Sequence, residues 1–131
     1  MNMTGIDTNV LVRYLVNDDP IQSKKAARLF RSLSVTNKGF ISLVVVVETI
    51  WVLESVYEQK RPMIMDAILK LIKSPRLVVQ CAREIEEALT VEGYEGDPAD
   101  AIIAELGKSF GCGKTVTFDK KASKLEDMKL L

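Results

Sequence analysis

The amino-acid sequence predicts an α/β fold in which a parallel sheet carries helices on both faces. Short apolar segments with strand propensity alternate with segments whose apolar residues recur at helical spacing. The 131 residues fit one domain of ordinary size, and no linker, repeat or low-complexity stretch divides them. Hydrophobic residues make up 47% of the chain, which argues against disorder. We therefore expect a single domain over residues 1–131, with ligands bound beyond the carboxyl ends of the strands.

The first predicted elements are a strand and two helices. Residues 3–6 form a short apolar strand, and Thr8 can cap a helix whose apolar residues continue to Leu15. Asp19 is suited to the N-cap of the next helix because Pro20 follows it, and proline favours the first helical position. The sequence therefore predicts a strand, a helix and a second helix in close succession.

The segment from Leu43 to Tyr57 is compatible with a strand or a helix. Its four consecutive valines favour a strand on propensity alone. Its length, and the Glu, Trp and Leu residues after the valines, favour a buried helix with Ser42 as the cap. We predict the helix, after a turn at 37–39 and a strand at 40–41, and expect Trp51 in the core or in a dimer interface.

The second half of the chain continues the alternation of strands and helices. One helix opens at Pro62 and stops at Ser74, because proline follows that residue. Asp97 and Pro98 repeat the N-cap and proline signature and start a helix that runs to about Phe110. The remaining predicted elements are a strand at 77–79, a helix at 83–91, a strand at 115–118, a short helix and a strand at 128–131.

The absence of histidine limits the chemistry that the chain can perform. It excludes a Ser-His-Asp triad, a Cys-His pair, a histidine-based ribonuclease and any His-ligated metal site. Cys81 and Cys112 match no zinc spacing, and we expect inert thiols in a reducing compartment, with a single disulfide as the alternative. The 18 basic and 18 acidic residues give zero formal net charge, which argues against a surface coated by nucleic acid but allows a basic patch. Catalysis must therefore come from carboxylates, Lys, Arg, hydroxyls or the thiols.

The sequence contains no candidate for a membrane span or a signal peptide. The longest apolar run, residues 40–53, has 14 residues and includes Glu48. A span needs roughly 18 apolar residues. The N-terminus has no basic region followed by an apolar stretch. We therefore expect a cytoplasmic protein without a membrane partner.

Several carboxylates occupy positions at which a site is expected. Asp7 and Asp119 each follow a predicted strand directly, and Asp97 and Asp100 lie in the first turn of a predicted helix. Glu48 lies in an apolar run, where an unpaired charge would cost several kcal/mol. Each acid has a structural alternative: a cap or turn for Asp7, Asp97 and Asp119. For Asp100 the alternative is interaction with the helix dipole, and for Glu48 it is a salt bridge to a buried cation.

Carboxylates that meet at one sheet edge repel each other and raise the pKa of at least one of them. A divalent cation removes that penalty, and hard oxygen ligands without His or Cys select Mg²⁺ or Mn²⁺ over zinc. Such a site typically polarises a phosphate oxygen and activates a water. The pattern therefore predicts metal-dependent phosphodiester cleavage without a histidine base.

Four segments stand in order along the chain: IDTNVLVRYL with NDDP at 6–20, VVVETIWVLESVY at 45–57, DPADAIIAELGKSFGC at 97–112 and TVTFDKKA at 115–122. Together they resemble the motifs of PIN-domain ribonucleases, and most nearly those of VapC-type toxins of toxin–antitoxin pairs. One such motif is weak evidence, but four in order are specific and cover nearly the whole chain. The resemblance implies a three-layer α/β/α PIN-like fold with a central parallel sheet. Pro98 departs from the family, which usually has an aromatic residue there, and we expect it to change only local packing.

The resemblance also assigns roles to individual residues. The four acids expected to bind Mg²⁺, with Mn²⁺ as an alternative, and to catalyse the reaction are Asp7, Glu48, Asp100 and Asp119. The four residues expected to orient these acids are Asp97, Thr8, Asn9 and Thr117. The three candidates for RNA contact, which could equally be exposed solubilising charges, are Arg13, Lys120 and Lys121.

The function implied by the resemblance is an endoribonuclease that leaves 5′-phosphate and 3′-hydroxyl ends. The resemblance further implies the toxin of a type II toxin–antitoxin module, a homodimer and a cognate antitoxin that blocks the site. Two alternatives stay open: a non-catalytic PIN-fold binding module, and a PIN nuclease that processes RNA without being a toxin. A phosphatase of the haloacid-dehalogenase type is disfavoured, because Asn9 stands where that class needs a second aspartate.

Overall fold

Six helices, one 3₁₀ turn and five strands make up residues 2–131, the part of the chain described by this computed structural model. The strands are β1 (Thr4–Gly5), β2 (Gly39–Ile41), β3 (Leu77–Val79), β4 (Thr115–Thr117) and β5 (Met128–Leu130). The helices are α1 (Thr8–Leu15), α2 (Pro20–Ser32), α3 (Leu43–Ser55), α4 (Arg61–Lys73), α5 (Ala82–Leu89) and α6 (Pro98–Ser109). The mixed α/β class with parallel strands is confirmed.

The chain forms two compact units, the first ending at Gln80 and the second running Cys81–Leu131. The first unit holds β1 to β3 with α1 to α4, and the second holds α5, α6, β4 and β5. The single domain expected over residues 1–131 stays a prediction. None of the helices among residues 2–131 has both the length and the apolar character needed to cross a membrane.

Three parallel strands, in the order β1-β2-β3, form the sheet of the first unit. Parallel neighbours need a crossover connection, which the pairs α1–α2 and α3–α4 supply. At the centre of the sheet, a Cβ on Gly39 would meet the side-chain tips of Ile6, Leu33 and Leu77 at 2.7, 2.9 and 2.9 Å. A glycine in β2 therefore lets these three side chains close over the strand.

The segment of four valines is helical, as predicted. Ser42 caps α3 by accepting a hydrogen bond from the Val45 backbone N–H at 3.2 Å. Val46, Ile50 and Leu53 are buried at helical spacing, so the apolar face of α3 overrides the strand propensity of its valines. Trp51 is 64% exposed, so its placement in the core was wrong, while the dimer interface stays a prediction.

The start of α1 differs from the prediction by one residue. Asp7 has extended backbone angles (φ −78°, ψ 159°), and its Oδ1 accepts a hydrogen bond from the Thr8 backbone N–H at 2.8 Å. Asp7 is therefore the N-cap, and Thr8 is the first helical residue. The prediction that Thr8 caps the helix was wrong because Asp7, two residues after the end of β1, already caps the helix terminus.

The second unit combines a helix pair with a parallel two-stranded sheet. β4 pairs with β5 from Thr115 opposite Met128 to Thr117 opposite Leu130. Asp97 caps α6 by accepting a hydrogen bond from the Ala99 backbone N–H at 2.9 Å, and Pro98 is the first helical residue. The predicted cap is therefore confirmed. The predicted short helix before the last strand is the 3₁₀ turn at Ala122–Lys124.

Candidate active site

Asp7 is positioned by the pairing of the strand that precedes it. The backbone N–H of Ile6 donates to the Phe40 carbonyl at 2.9 Å, and the Ile6 side chain is buried. This holds the next residue, Asp7, at the carboxyl end of β1, where its side chain is exposed. The Asp7 Oδ1 caps α1, while Oδ2 takes no part in a hydrogen bond within residues 2–131. Asp7 therefore has a structural role and still presents a carboxylate oxygen.

Thr8 joins this aspartate to a carboxylate from another element. Its Oγ1 donates to the Glu48 Oε1 at 2.9 Å, and its backbone N–H donates to the Asp7 Oδ1 at 2.8 Å. Thr8 is only 7% exposed, so packing fixes its side chain. One buried threonine thus contacts both acids of the first unit that sequence analysis selected.

Glu48 is exposed, which corrects the burial inferred from its apolar run. Because α3 is a helix, its neighbours Val46 and Thr49 face the core whereas Glu48 lies on another side. Within residues 2–131, Glu48 belongs to none of the ion pairs, so a salt bridge to a buried cation is not its role there. The charge stays hydrated and needs no buried partner.

The other two acids lie in the second unit. Asp100 is half-buried in the first turn of α6, one turn after the cap Asp97. Asp119 follows β4, and its Oδ1 accepts a hydrogen bond from the Ala122 backbone N–H at 2.9 Å. The Thr117 Oγ1 accepts the backbone N–H of Asp119 at 3.0 Å. Thr117 therefore contacts the main chain of Asp119, not its carboxylate.

Three further residues selected from the sequence are exposed: Asn9 on α1, and Lys120 and Lys121 after Asp119. The two lysines are consistent with either RNA contact or a solubilising charge.

Arg13 is held by three side chains from other parts of the first unit. Its Nε donates to the Gln22 Oε1 at 2.8 Å, and its Nη1 donates to the Tyr57 hydroxyl at 2.7 Å and pairs with the Asp18 Oδ1 at 3.4 Å. The Tyr57 hydroxyl donates to the Asp18 Oδ2 at 2.7 Å. This hydrogen bond lowers the pKa of the Asp18 carboxyl and raises the pKa of the Tyr57 phenol.

The Arg13 cluster, defined as Arg13, Asp18, Gln22 and Tyr57, links α1, the start of α2 and the residues after α3. Tyr57 was not among the site residues predicted from the sequence, although it ends the second motif segment. Contact between Arg13 and RNA stays a prediction.

Comparison with protein families decides the class of the chain. The family model described as PIN domain matches residues 6–128. The chain belongs to the PIN domain family. PIN domains are generally nucleases, so this PIN protein has a nuclease-type fold and is assigned to the hydrolases that act on nucleic acid. The comparison with curated proteins returned no match.

PIN nucleases generally use divalent metals. Residues 2–131 contain no group of three or more Asp, Glu or Cys side chains that could hold one metal ion. Asp7 and Glu48 belong to the first unit, and Asp100 and Asp119 to the second, so a shared four-acid site stays a prediction. The donor set of the first unit fits a hard cation, because both carboxylates are exposed and neither pairs with a cation among the described residues.

Proposed function

We propose that this PIN protein is a Mg²⁺-dependent endoribonuclease. The observation that carries the proposal is the double contact of Thr8, which orients Glu48 through its hydroxyl and meets Asp7 through its backbone N–H. Two exposed carboxylates, neither of which pairs with a cation within residues 2–131, are thereby fixed at the carboxyl end of a parallel sheet, where ligands of such folds bind. The match over residues 6–128 supports the nuclease assignment.

Each acid has a proposed role. Asp7 would bind the ion from the first unit, together with Glu48 directly or through a water, and Asp100 and Asp119 would bind it from the second. When bound, Mg²⁺ or Mn²⁺ supplies a Lewis acid for a phosphate oxygen and lowers the pKa of a water. Thr8 holds the first pair, and the Ala122 N–H fixes one oxygen of Asp119.

The residues of the chain would handle the proton and the substrate. Glu48 uses Oε1 for the hydrogen bond from Thr8, so Oε2 is the oxygen that would accept a proton from the attacking water. Lys120 and Lys121, exposed beside Asp119, would contact the RNA phosphates. Hydrolysis would leave a 5′-phosphate and a 3′-hydroxyl.

We further propose that the protein is the toxin of a type II toxin–antitoxin module in the cytoplasm. In this proposal it forms a homodimer, and a cognate antitoxin blocks the acidic site. The four motifs in order support this subtype over a PIN nuclease that processes RNA without being a toxin. Expression of the protein should arrest growth. The arrest should be absent in the Asp100→Asn variant, and co-expression of a small protein encoded directly upstream should relieve it. Unimpaired growth on expression of the active enzyme would favour the processing nuclease.

The ribonuclease proposal is tested by cleavage of RNA with the purified full chain. We expect cleavage with Mg²⁺, none with EDTA, and a loss of at least about 100-fold in Asp7→Asn and Asp100→Asn. Asn preserves the capping ability of position 7, so that variant removes charge without removing the helix cap. Glu86→Gln, an exposed acid on α5, is the matched control and should retain activity. Full activity in EDTA, or in both Asp variants, would contradict the proposal.

A further inference from the structure

The first unit contains a second surface that the proposed acidic site does not use. It is a cavity of about 660 Å³ lined by residues of α1, α2 and α4 and by the start of β3, here named the Tyr14 cavity. Within it, the rings of Tyr14 and Phe30 stack with centroids 3.8 Å apart and an interplanar angle of 6°. Phe30 is 8% exposed and Tyr14 42%. Because Phe30 is buried and Tyr14 is exposed, Tyr14 is the member of the stack that another planar group can reach from solvent.

The charged residues that line the Tyr14 cavity are mainly cationic. They are Arg31, Lys70, Arg76 and Asp66, three cations and one carboxylate, which gives a formal charge of +2. Lys70 pairs with Asp66 at 3.0 Å. Arg31 and Arg76 are exposed and belong to none of the ion pairs among the described residues. The two guanidinium groups therefore favour an anionic ligand.

The Tyr14 cavity lies at the opposite edge of the sheet from Asp7. Its lining includes Leu77, the first residue of β3, whereas Asp7 follows the last residues of β1. Asp7 and Tyr14 stand at the two ends of α1, seven residues apart, which corresponds to roughly 10 Å along the helix axis. A ligand in the cavity would not occupy the acidic site, but a flexible strand could reach both.

We propose that the Tyr14 cavity binds one unpaired nucleotide of the RNA, with the base stacked on Tyr14 and a phosphate at Arg31 and Arg76. The RNA as the source of this ligand rests on the proposed ribonuclease function. An aromatic ring beside basic side chains is the arrangement with which proteins bind single strands, and guanidinium groups bind phosphates in a bidentate manner. The volume lies in the range of small-ligand pockets. The cavity thus anchors the strand at a fixed distance from Asp7 in the same unit.

The test measures binding of a 2′-O-methyl adenosine hexanucleotide, which resists cleavage, to the full chain in EDTA. Tyr14→Phe keeps the ring and should bind within about twofold of the wild type, whereas Tyr14→Ala should bind about tenfold more weakly. Equal dissociation constants for Tyr14→Ala and the wild type would overturn the proposal.

A second variant keeps the aromatic stack intact, so that loss of folding cannot imitate loss of the site. Arg31→Gln with Arg76→Gln should lower the slope of log affinity against log salt by about 1.4, which is about 0.7 for each lost phosphate contact with a single strand. Arg28→Gln with Lys73→Gln removes two exposed cations that do not line the cavity, one on α2 and one at the end of α4, and should leave the slope unchanged. Equal slopes for both double variants would overturn the proposal.

Cleavage in Mg²⁺ separates this inference from the proposed function. If the wild type cleaves RNA but the Tyr14 and arginine variants bind the hexanucleotide as tightly as the wild type does, the ribonuclease function is supported and the nucleotide site is overturned. If no RNA is cleaved but Tyr14→Ala weakens hexanucleotide binding as predicted, the nucleotide site is supported and the ribonuclease function is contradicted. A third outcome also overturns the nucleotide site. If the variants bind the hexanucleotide as tightly as the wild type does, but bind a protein partner more weakly, the cavity is a protein-docking site.

Discussion

Thr8 shows how one residue can contact two acids that are 41 residues apart in the sequence. Its backbone N–H donates to the neighbouring Asp7, and its hydroxyl donates to Glu48; the second contact depends on the close approach of α1 and α3. Residues that hydrogen-bond to metal-binding carboxylates fix their orientation, and their loss typically costs 10–100-fold in affinity or activity. The spacing in the sequence identifies Thr8 as part of a motif but does not reveal this contact.

Replacement of the Thr8 hydroxyl tests that role. In Thr8→Val the shape of the side chain is kept but Glu48 loses its donor, so we expect a loss of roughly 10–100-fold in RNA cleavage. The free energy of unfolding should fall by only about 1 kcal/mol, as for a typical hydrogen bond. Thr8→Ser keeps the donor and should retain activity. Wild-type cleavage by Thr8→Val would show that the contact does not position Glu48.

Caps were the most predictable residues. Asp19, Ser42 and Asp97 follow local rules, because the capping side chain reaches backbone N–H groups only two or three residues ahead. The exposure of Glu48 was not predictable from its apolar neighbours. In a helix the side chain at position 48 lies about 200° around the axis from that at 46, whereas in a strand the two would share a face, so the exposure of Glu48 depends on the element being a helix.

At the scale of elements, the sheet of the first unit depends on the absence of a side chain in β2. In Gly39→Ala the side-chain tips of Ile6, Leu33 and Leu77 would all have to move away from the new Cβ. Ile6 and Leu33 are buried, so they have little room to do so. We expect a loss of about 1–3 kcal/mol in the free energy of unfolding, measured by urea denaturation.

Gly5→Ala in the neighbouring strand is the matched control for this substitution. A Cβ at Gly5 would meet no atom of the described residues 2–131 within 4 Å, so the change should stay within about 0.5 kcal/mol. If the two glycine variants unfold at the same urea concentration, the tight packing around β2 is not a source of stability.

Helix α6 carries a carboxyl group whose protonation is linked to stability. Partial burial raises the pKa of Glu105, the charge of Lys108 lowers it, and the charges of Glu87 and Asp127 raise it, with a net upward direction. The folded chain therefore binds this proton more tightly than the unfolded chain. The stability that this proton provides is fully present below the ordinary pKa of 4.5 and is lost as pH rises through the higher folded value.

Glu105→Gln should consequently raise the melting temperature at pH 7, and this gain should shrink towards pH 4. Because the side chain is half-exposed, the expected gain is below about 1 kcal/mol. Glu86→Gln on the exposed side of α5 should leave the pH dependence of melting as it is in the wild type. A gain that is equal at both pH values would mean that charge at position 105 is not its cause.

Contacts between distant elements set the limit of prediction at this scale. The boundaries of α3 and α4 follow from caps, prolines and helical spacing. The Arg13 cluster does not, because Arg13 and Tyr57 are 44 residues apart and meet only when α1 and the end of α3 are both in place. The same reasoning applies to the Tyr14 cavity, which three helices build together.

For the whole molecule, the absence of histidine and the order of the four motifs were the features of the sequence that best predicted the family and the nuclease-type fold. The match of the PIN domain over residues 6–128 confirms the family and the nuclease-type fold. What the motifs could not provide is the placement of side chains, such as the contact of Thr117 with the Asp119 main chain. Order along the chain identifies the acids, whereas their distances depend on tertiary packing.

The most direct test of the central claim is a Mn²⁺ titration of the isotope-labelled full chain, followed by NMR. If Asp7, Glu48, Asp100 and Asp119 bind one ion, the backbone signals of these four residues should broaden together, at the same Mn²⁺ concentration. Asp7→Asn should weaken the broadening at Asp100 and Asp119 in the second unit as much as at Glu48 in the first. A single four-acid site would be contradicted if only the signals of one unit broaden. It would also be contradicted if Asp7→Asn leaves the broadening at Asp100 and Asp119 unchanged.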